Sequence, residues 1–394
     1  MDSLTLRLSL LMLATMAVST VPFFALAVVA SELQDEFGVS KFELGVLAAV
    51  NTGVGALIAP QFGKMADSIG GRNSVGLTLV FSGASAVILA LGSSFAMLLV
   101  GAAVGGVAQG AGNPATNKAI SVAVKEAKRG VSTGIKQSGV QAGVAVAGFT
   151  TPLMSASFGW RSAMWVYGIA AFALLLGLGV VPGKEVEAPE GRSDATPQRK
   201  LPMFVTQVAV FGLLMGFVGG GFGRFLPLFA EESVGFSIER AGLVFAVQGL
   251  VAVPSRLLTG VALDRGASAR TMMVGMGVLG SVSLLIVAAA TESRPSLLWI
   301  GTILAGLTLG TWNTAANLSM VRMKENAGRA TGRLMAGFFL GLTIGGPVVG
   351  WSIDQFSYTP AWLASAVVAA TGAAVVGWRS KEPAFETPVD TLKK

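Results

Sequence analysis

Two long apolar segments are joined by the polar sequence Gly63-Lys64-Met65-Ala66-Asp67-Ser68-Ile69-Gly70-Gly71-Arg72-Asn73. Gly63 permits a close approach between helices, and Gly70 and Gly71 permit a tight turn. Asp67 offers a carboxylate to a neighbouring helix N-terminus, where an anion is favoured. These residues predict a hinge between two membrane spans.

The same hinge returns 197 positions later, where Gly260 and Asp264 match Gly63 and Asp67. Other residues repeat at nearly the same distance, in the pairs Gly38/Gly235, Gly45/Gly242, Gly134/Gly332, Gly139/Gly337, Gly143/Gly341, Gly148/Gly346, Asn113/Asn313 and Asn117/Asn317. The chain is therefore predicted to contain two parallel repeats, with a substrate site between them near the middle of the membrane. The glycine series are expected to be helix-packing faces.

Composition excludes several classes of protein. The chain is 53% hydrophobic and 12% charged, with a mean hydropathy of +0.69, against about 25% charged residues in a soluble domain. It has no Cys and no His, so thiol chemistry, zinc sites and Ser-His-Asp catalysis are not expected. We predict no enzyme activity, no cofactor and no metal. The net charge of +7 is scattered through short loops, so a nucleic-acid partner is not expected either.

Apolar runs of about 20 residues can cross a bilayer. They fall at 8–30, 42–62, 74–92, 95–122, 131–155, 161–182, 203–230, 238–262, 271–290, 296–321, 330–353 and 360–379. We predict an all-α membrane protein of twelve transmembrane helices in two pseudo-symmetric six-helix bundles, 1–182 and 203–380, with a cytoplasmic linker at 183–202 and a cytoplasmic tail at 381–394. Kinks are expected in the glycine-rich fourth, seventh and eleventh spans.

Lysine and arginine fix the orientation. The loops on one side of the membrane hold only four basic residues, Lys41, Arg161, Arg240 and Arg294. The loops on the other side, together with both termini, hold most of the other lysines and arginines. The positive-inside rule then predicts that both termini are cytoplasmic. We expect the protein to lie in the inner membrane of the cell.

The paired hinges resemble the signature of the major facilitator superfamily, Gly-x-x-x-Asp-(Arg/Lys)-x-Gly-(Arg/Lys)-(Arg/Lys), between spans 2 and 3 and between spans 8 and 9. Ser68, Gly71 and Ala267 depart from that pattern, and both carboxylates are kept. Gly159-Trp160-Arg161 before span 6 is similar to a turn common in the family. The resemblance implies a secondary transporter that works by alternating access, with spans 1, 4, 7 and 10 lining the cavity.

The resemblance also implies a cytoplasmic gate. Asp67 would dock near Arg329 or Arg333, and Asp264 near Arg129, in the outward-open state. The gating set is Gly63, Asp67, Arg72, Gly260, Asp264, Arg265, Arg129, Arg329 and Arg333.

Four cations lie inside predicted spans, namely Lys118, Lys136, Arg224 and Arg256, whereas no Asp or Glu lies deep in any span. Intramembrane charges are costly and normally face a cavity or a partner, so this pattern favours an anionic substrate. Two alternatives stay open: the lysines and Arg256 snorkel to the cytoplasmic surface, or Arg224, in a glycine-rich stretch where Pro227 suggests a break, pairs with Glu231 or Glu232 as an outer gate.

Amides form the second candidate group. Gln109, Asn113 and Asn117 share one helix face, and the tenth span repeats the last two as Asn313 and Asn317 beside Trp312. They either face the substrate or join helices by hydrogen bonds. The complete substrate set is Arg224, Arg256, Lys136, Gln109, Asn113, Asn117, Gln137, Gln141, Trp312, Asn313 and Asn317.

These residues predict a monomeric carrier in the lipid bilayer for a small anionic solute, an organic carboxylate. Because no buried carboxylate offers a proton relay, we expect exchange, uniport or a proton coupling that runs through the substrate's own carboxylate. An exporter of apolar or cationic compounds and a nitrate or nitrite carrier are the alternatives within transport. A membrane receptor or scaffold is the alternative outside it.

Overall fold

The computed structural model describes residues 3–183, 201–323 and 326–378, and its regular elements there are helices. In chain order they are α1 Ser3–Val18, α2 Val21–Val28, α3 Ala30–Phe37, α4 Lys41–Ala90, α5 Phe95–Ala123, α6 Glu126–Phe158, α7 Trp160–Ala173 with a 3-10 extension at Leu174–Val180, α8 Met203–Glu232, α9 Ile238–Asp264, α10 Ala269–Ala288, α11 Pro295–Leu307, α12 Trp312–Val321, α13 Ala327–Gln355 and α14 Tyr358–Gly377. Most of the predicted linker and all of the predicted tail lie outside the described residues.

These helices account for the twelve predicted spans. Nine of the described helical segments, or ten when α1 and α2 form one bent span, are long and apolar enough to cross a membrane. The 50-residue α4 is one of them, yet at 1.5 Å per residue it is about 75 Å long, enough for two crossings. It changes direction at Gly70, whose φ of 84° and ψ of 164° are not helical. The one remaining predicted span, the fifth along the chain, is α6, which is less apolar because it carries Lys136, Gln137 and Gln141.

The break suggested at Pro227 is wrong, because α8 runs through it uninterrupted. The fourth and eleventh spans, α5 and α13, are likewise continuous helices, and the kinks expected in these three spans stay a prediction. Helices α1 and α2 meet at 41° in the first span, and residues 308–311 separate α11 from α12 in the tenth. Glycine in a helix interior lowers helix propensity, but packing against neighbouring helices overrides that preference.

One compact unit contains the described parts of Met1–Ser40, Val46–Ala195 and Ile238–Ala246. In its core, Leu8, Met12, Val75 and Leu79 are buried together with alanines of α5. Helix α6 packs against α1 so closely that a Cβ on Gly139 would collide with the backbone of Leu13. This contact confirms the packing role predicted for Gly139, whereas a Cβ on Gly134 of the same series would meet open space.

The other unit contains Lys41–Gly45 and the described parts of Thr196–Ser237 and Val247–Lys394. Here α8 packs against α13, and a Cβ on Gly341 would collide with the backbone of Leu213. The side chain of Asp354 accepts hydrogen bonds from the backbone N–H groups of Lys41 at 3.2 Å and Phe42 at 2.8 Å. The first turn of α4 is thereby capped by the end of α13.

The hinge glycines divide their roles differently from the sequence prediction. A Cβ on Gly63 or Gly260 would meet open space, so the expected close approach at these two positions is wrong. Gly71 takes that role, because a Cβ there would collide with the backbone of Ala119 on α5. The positive φ of Gly70 confirms the predicted turn.

Candidate functional site

A fully buried lysine forms the centre of the candidate site. Lys136 of α6 has no exposed surface, and its Nζ donates hydrogen bonds to Asn113 Oδ1 and Thr116 Oγ1 of α5, each at 3.0 Å. Residues three positions apart lie on one helix face, so α5 presents both acceptors together. Both are neutral. The ammonium is directed at α5, which argues against the snorkelling alternative for this residue.

Amides extend this site along the same face. Gln137 Nε2 donates to Asn113 Oδ1 at 3.2 Å, and Asn113 and Asn117 are exposed. The Oε1 atom of Gln109 is buried and has no hydrogen-bond partner within the described parts of the chain. Polar side chains of a membrane span face protein or water rather than lipid. We call Lys136, Gln109, Asn113, Thr116 and Gln137 the lysine site.

The second repeat keeps Asn113 and Asn117, as Asn313 and Asn317, but neither the cation nor the glutamines. At the positions that match Lys136, Gln137 and Gln141, α13 carries Leu334, Met335 and Phe339. Gln141 itself is buried on α6. The lysine site is thus particular to the first repeat. The replacement of Lys136 by leucine in the second repeat was visible in the sequence, but attention to the residues that both repeats share hid it.

The candidate residues of α12, Trp312, Asn313 and Asn317, make contacts within their own unit. Asn317 Nδ2 donates to the carbonyl oxygen of Asn313 in its own helix at 2.9 Å. The ring of Trp312 is buried edge-on between Phe211 and Phe338, with ring centroids 5.4 Å and 5.3 Å away. These contacts give Trp312 a packing role within its unit, and its predicted substrate role stays a prediction.

Arg256 supports the break in the tenth span. From α9, its Nε and one terminal nitrogen donate to the carbonyl oxygen of Gly310 at 3.1 Å and 2.9 Å. The preceding residue, Ser255, donates from Oγ to the carbonyl oxygen of Leu307 at 2.9 Å. Backbone groups released at a break in a membrane helix need such partners. The arginine therefore holds the connection between α11 and α12.

Arg224 lies on α8 and is 3% exposed. On the same helix, Gly220 and Gly221 lie against Leu342 and Val349 of α13, which places this stretch in a tight helix interface. The role of Arg224 in substrate binding stays a prediction.

Each hinge carboxylate has a cation partner within its own unit. Lys118 Nζ of α5 lies 3.2 Å from Asp67 Oδ1. In the second repeat, Arg322 donates to Asp264 Oδ1 and to the carbonyl oxygen of Leu263. Neither partner was predicted from the sequence. Both could have been found there, because Lys118 and Arg322 lie near the ends of the fourth and the tenth span. The docking of Asp67 on Arg329 or Arg333, and of Asp264 on Arg129, stays a prediction.

The remaining gate residues lie at helix ends. Arg129 donates to the carbonyl oxygens of Val124 at 3.0 Å and Ser121 at 2.6 Å, which places its charge at the C-terminus of α5, where cations are favoured. The other basic members of the gating set are exposed, namely Arg72, Arg265, Arg329 and Arg333.

A bidentate ion pair joins α3 to α7. Arg161 donates to Glu36 Oε2 at 2.8 Å and Oε1 at 2.6 Å, and Trp160 Nε1 donates to Glu36 Oε2 at 2.9 Å. The turn before α7 has Gly159 at a φ of 77°, which positions Trp160 and Arg161. The hydrogen bonds from Arg161 hold the pKa of the Glu36 carboxyl below its ordinary value of 4.5.

Comparisons with known proteins agree with this architecture. The sequence model described as Major Facilitator Superfamily matches residues 9–332 and 241–393. The structure is similar to a bacterial homologue of the human lysosomal transporter Spinster in an inward-facing and occupied conformation, with a TM-score of 0.76 and 19% identity over 94% of this chain and 95% of that one. No curated protein sequence matches the chain.

Two further solved structures are similar. A D-xylose-proton symporter has a TM-score of 0.78 and 16% identity over 96% of this chain and 99% of its own. A mutant of the nucleoside transporter NupG has a TM-score of 0.76 and 14% identity over 95% and 99%. At these identities the likeness shows the fold alone.

Proposed function

This chain belongs to the major facilitator superfamily, and from that premise we propose that it moves a small anionic solute, an organic carboxylate, across the inner membrane by alternating access. As a member of that family it is a multi-pass membrane transporter and not an enzyme. We further propose that both termini are cytoplasmic, because the positive residues concentrate in the loops on that side.

One observation carries the anion proposal: the Lys136 ammonium is buried against two neutral oxygens. Burying an ammonium costs several kcal/mol unless an opposite charge offsets it. Within the described residues, the charged side chains that are buried are Lys136 and Arg224, both cations. A bound carboxylate would supply the missing negative charge, and a charge-assisted hydrogen bond to it contributes about 1.5 to 3 kcal/mol.

The neighbouring amides support the same substrate class. Gln137 offers a second N–H donor beside the lysine, since it shares the acceptor Asn113 Oδ1, and Gln109 lies one turn before Asn113 on α5. The exposed Asn113 and Asn117 keep this face accessible. Lys136 would select for charge, and the amides would orient the carboxylate. Arg224 and Arg256 are proposed to contribute to anion binding in the second repeat, where Arg256 would have to exchange its contact with the Gly310 carbonyl for one with substrate.

Uptake into proteoliposomes tests this proposal. The panel contains labelled small carboxylates, neutral sugars and nucleosides, and organic cations, with and without internal substrate and a pH gradient. We expect saturable carboxylate uptake, stimulated by internal carboxylate, that falls at least about tenfold in Lys136→Gln, a loss of about 1.4 kcal/mol or more. The exposed cation of α9 gives the matched control, Arg240→Gln, which should transport as the wild type does.

A neutral polar solute is the second candidate. The amides favour it, because they bind hydroxyl groups, and solved structures with this fold include a xylose symporter and a nucleoside transporter. Uptake confined to sugars or nucleosides and unchanged in Lys136→Gln would replace the anion proposal with this one.

A further inference from the structure

A small cavity lies at the break between α1 and α2, within the first unit. Its walls come from α1, α2, α4 and α5 and include Val18, Ser19, Asn51, Ser82 and Ser85. The centre of a water-sized sphere can occupy about 10 Å³ of it, which is room for one water molecule or one monovalent cation.

The three serine hydroxyls of this cavity already use their donors. Ser19 Oγ donates to the carbonyl oxygen of Met16 at 2.9 Å. Likewise Ser82 donates to Thr78 at 2.8 Å and Ser85 to Gly101 at 2.8 Å. Each hydroxyl therefore presents lone pairs, rather than a proton, to any further ligand.

Asn51 adds an acceptor that the protein leaves open. Its Nδ2 donates to the carbonyl oxygen of Ala102 at 3.0 Å, and this bond directs the amide so that Oδ1 is the remaining atom. The residue is 3% exposed, and Oδ1 has no hydrogen-bond partner among the residues that the structure describes. Leaving a buried acceptor unsatisfied costs about 1 to 3 kcal/mol.

The backbone contributes a fifth oxygen. Pro22 has no N–H, so the carbonyl oxygen of Val18, four residues earlier, lacks its helical donor, and both residues line the cavity. Interrupted membrane helices expose carbonyl oxygens in this way, and such oxygens coordinate Na⁺.

We propose that this cavity binds a monovalent alkali cation, Na⁺, through Asn51 Oδ1, the hydroxyl oxygens of Ser19, Ser82 and Ser85, and the Val18 carbonyl oxygen. Among the side chains named here, an anion would find one donor left, the second N–H of the Asn51 amide, against five acceptors. A divalent cation would lack the carboxylates that normally balance its charge. A single water molecule has two protons for five acceptors, whereas a cation interacts favourably with all five.

The location gives the ion a role in transport. It would join the two halves of the first span to α4 and α5, and so stabilise one geometry of the bend between α1 and α2. This step rests on the proposed function: Na⁺ would accompany the anion and balance its charge. The carrier would then need no buried carboxylate for coupling.

Thermal unfolding of the purified full-length chain tests the site, with NaCl, KCl or choline chloride at equal ionic strength. We expect the unfolding temperature to rise with the logarithm of Na⁺ concentration above saturation, and K⁺ and choline to give a smaller rise or none. Asn51→Leu should abolish the Na⁺-specific part of the rise in unfolding temperature. Ser82→Ala, which changes the shape of the cavity least, should raise the half-saturating Na⁺ concentration about tenfold, equal to about 1.4 kcal/mol of binding free energy.

The second repeat supplies the control. Gln248 matches Asn51 and also has a buried amide oxygen without a hydrogen-bond partner in the described chain, so Gln248→Leu should keep the Na⁺ response. Equal shifts in all three salts, or a full Na⁺ response in both Asn51→Leu and Ser82→Ala, would overturn the site and leave a water-filled cavity. Uptake of neutral solutes alone would defeat the anion proposal without affecting this result, because the thermal shift requires no substrate.

Discussion

The Nζ atom of Lys136 lies 3.0 Å from Asn113 Oδ1, although the position that matches Lys136 in the second repeat is Leu334. Both positions are fully buried. One repeat therefore buries a charge where the other buries a shorter, apolar side chain. A packing requirement alone would be met by the leucine.

Replacing Lys136 with leucine should separate function from stability. We expect Lys136→Leu to lose carboxylate transport and to raise the free energy of unfolding by about 1 to 3 kcal/mol, because removing a buried charge for an apolar side chain is often stabilising. Asn113 Oδ1 would still accept from Gln137. Chemical denaturation in detergent measures this change, with Gln137→Leu as the variant that keeps the charge. A loss of stability in Lys136→Leu would show that the lysine is structural.

Arg256→Gln should loosen the break between α11 and α12. The arginine makes two hydrogen bonds to the Gly310 carbonyl oxygen, and a glutamine is too short to reproduce both. Because the native chain has no cysteine, Thr308→Cys can report on the break: Thr308 is 3% exposed, and its thiol should react at least about tenfold faster with a maleimide in the Arg256→Gln background.

Ser255→Ala provides the control for that measurement. It removes the bond to the Leu307 carbonyl oxygen but leaves both arginine contacts, so the thiol reactivity should increase less. Equal reactivity in the Arg256→Gln and parental backgrounds would mean that the break is held by other contacts.

Much of the fold was predictable because it depends on short-range patterns. Apolar runs of membrane length gave twelve spans, and Gly70 marked the turn inside α4. The breaks were missed because Pro22 and Thr308 resemble many residues that helices tolerate, and the neighbours that satisfy the released carbonyls are distant in sequence. Ser255 and Arg256, for instance, are more than 50 positions from the carbonyls that they bind.

The site was predictable in residue type but not in partnership. Lys136 and Asn113 were both candidates, yet their contact depends on how α6 packs against α5. The same holds for Asp67, whose partner Lys118 lies 51 positions away. Amphipathic and repeat patterns indicate which faces are polar, whereas the register between two helices is set by the complementary shapes of their side chains.

The Asp67–Lys118 pair should matter for transport more than for folding. The Asp67 side chain is 76% exposed, and exposed ion pairs contribute at most about 1 kcal/mol. We expect a double-mutant cycle with Asp67→Asn and Lys118→Gln to give a coupling energy below about 1 kcal/mol in unfolding. The uptake rate, in contrast, should fall several-fold in each single variant.

The equivalent pair in the second repeat tests whether both hinges act alike. Asp264→Asn and Arg322→Gln should reproduce the pattern, because Arg322 also contacts the carboxylate from the end of the tenth span. Unchanged uptake rates in all four single variants would remove the hinge carboxylates from the gate.

The Glu36–Arg161 ion pair predicts how stability depends on acid. The bonds from Arg161 lower the pKa of Glu36 in the folded chain below its ordinary value of 4.5, so the unfolded chain takes up the proton first as the pH falls. The stabilisation is present above pH 4.5 and is lost as the pH passes through the lowered pKa. Glu36→Gln should therefore reduce the unfolding temperature at pH 6. It should also make the fall of the unfolding temperature between pH 5 and pH 3 shallower, because the variant has no ion pair to lose. Unfolding scans at several pH values would measure both effects. The exposed Asp35 beside it gives the control, Asp35→Asn, which should leave the pH 6 value unchanged; an equal effect of the two variants would mean that the bidentate pair does not stabilise the fold.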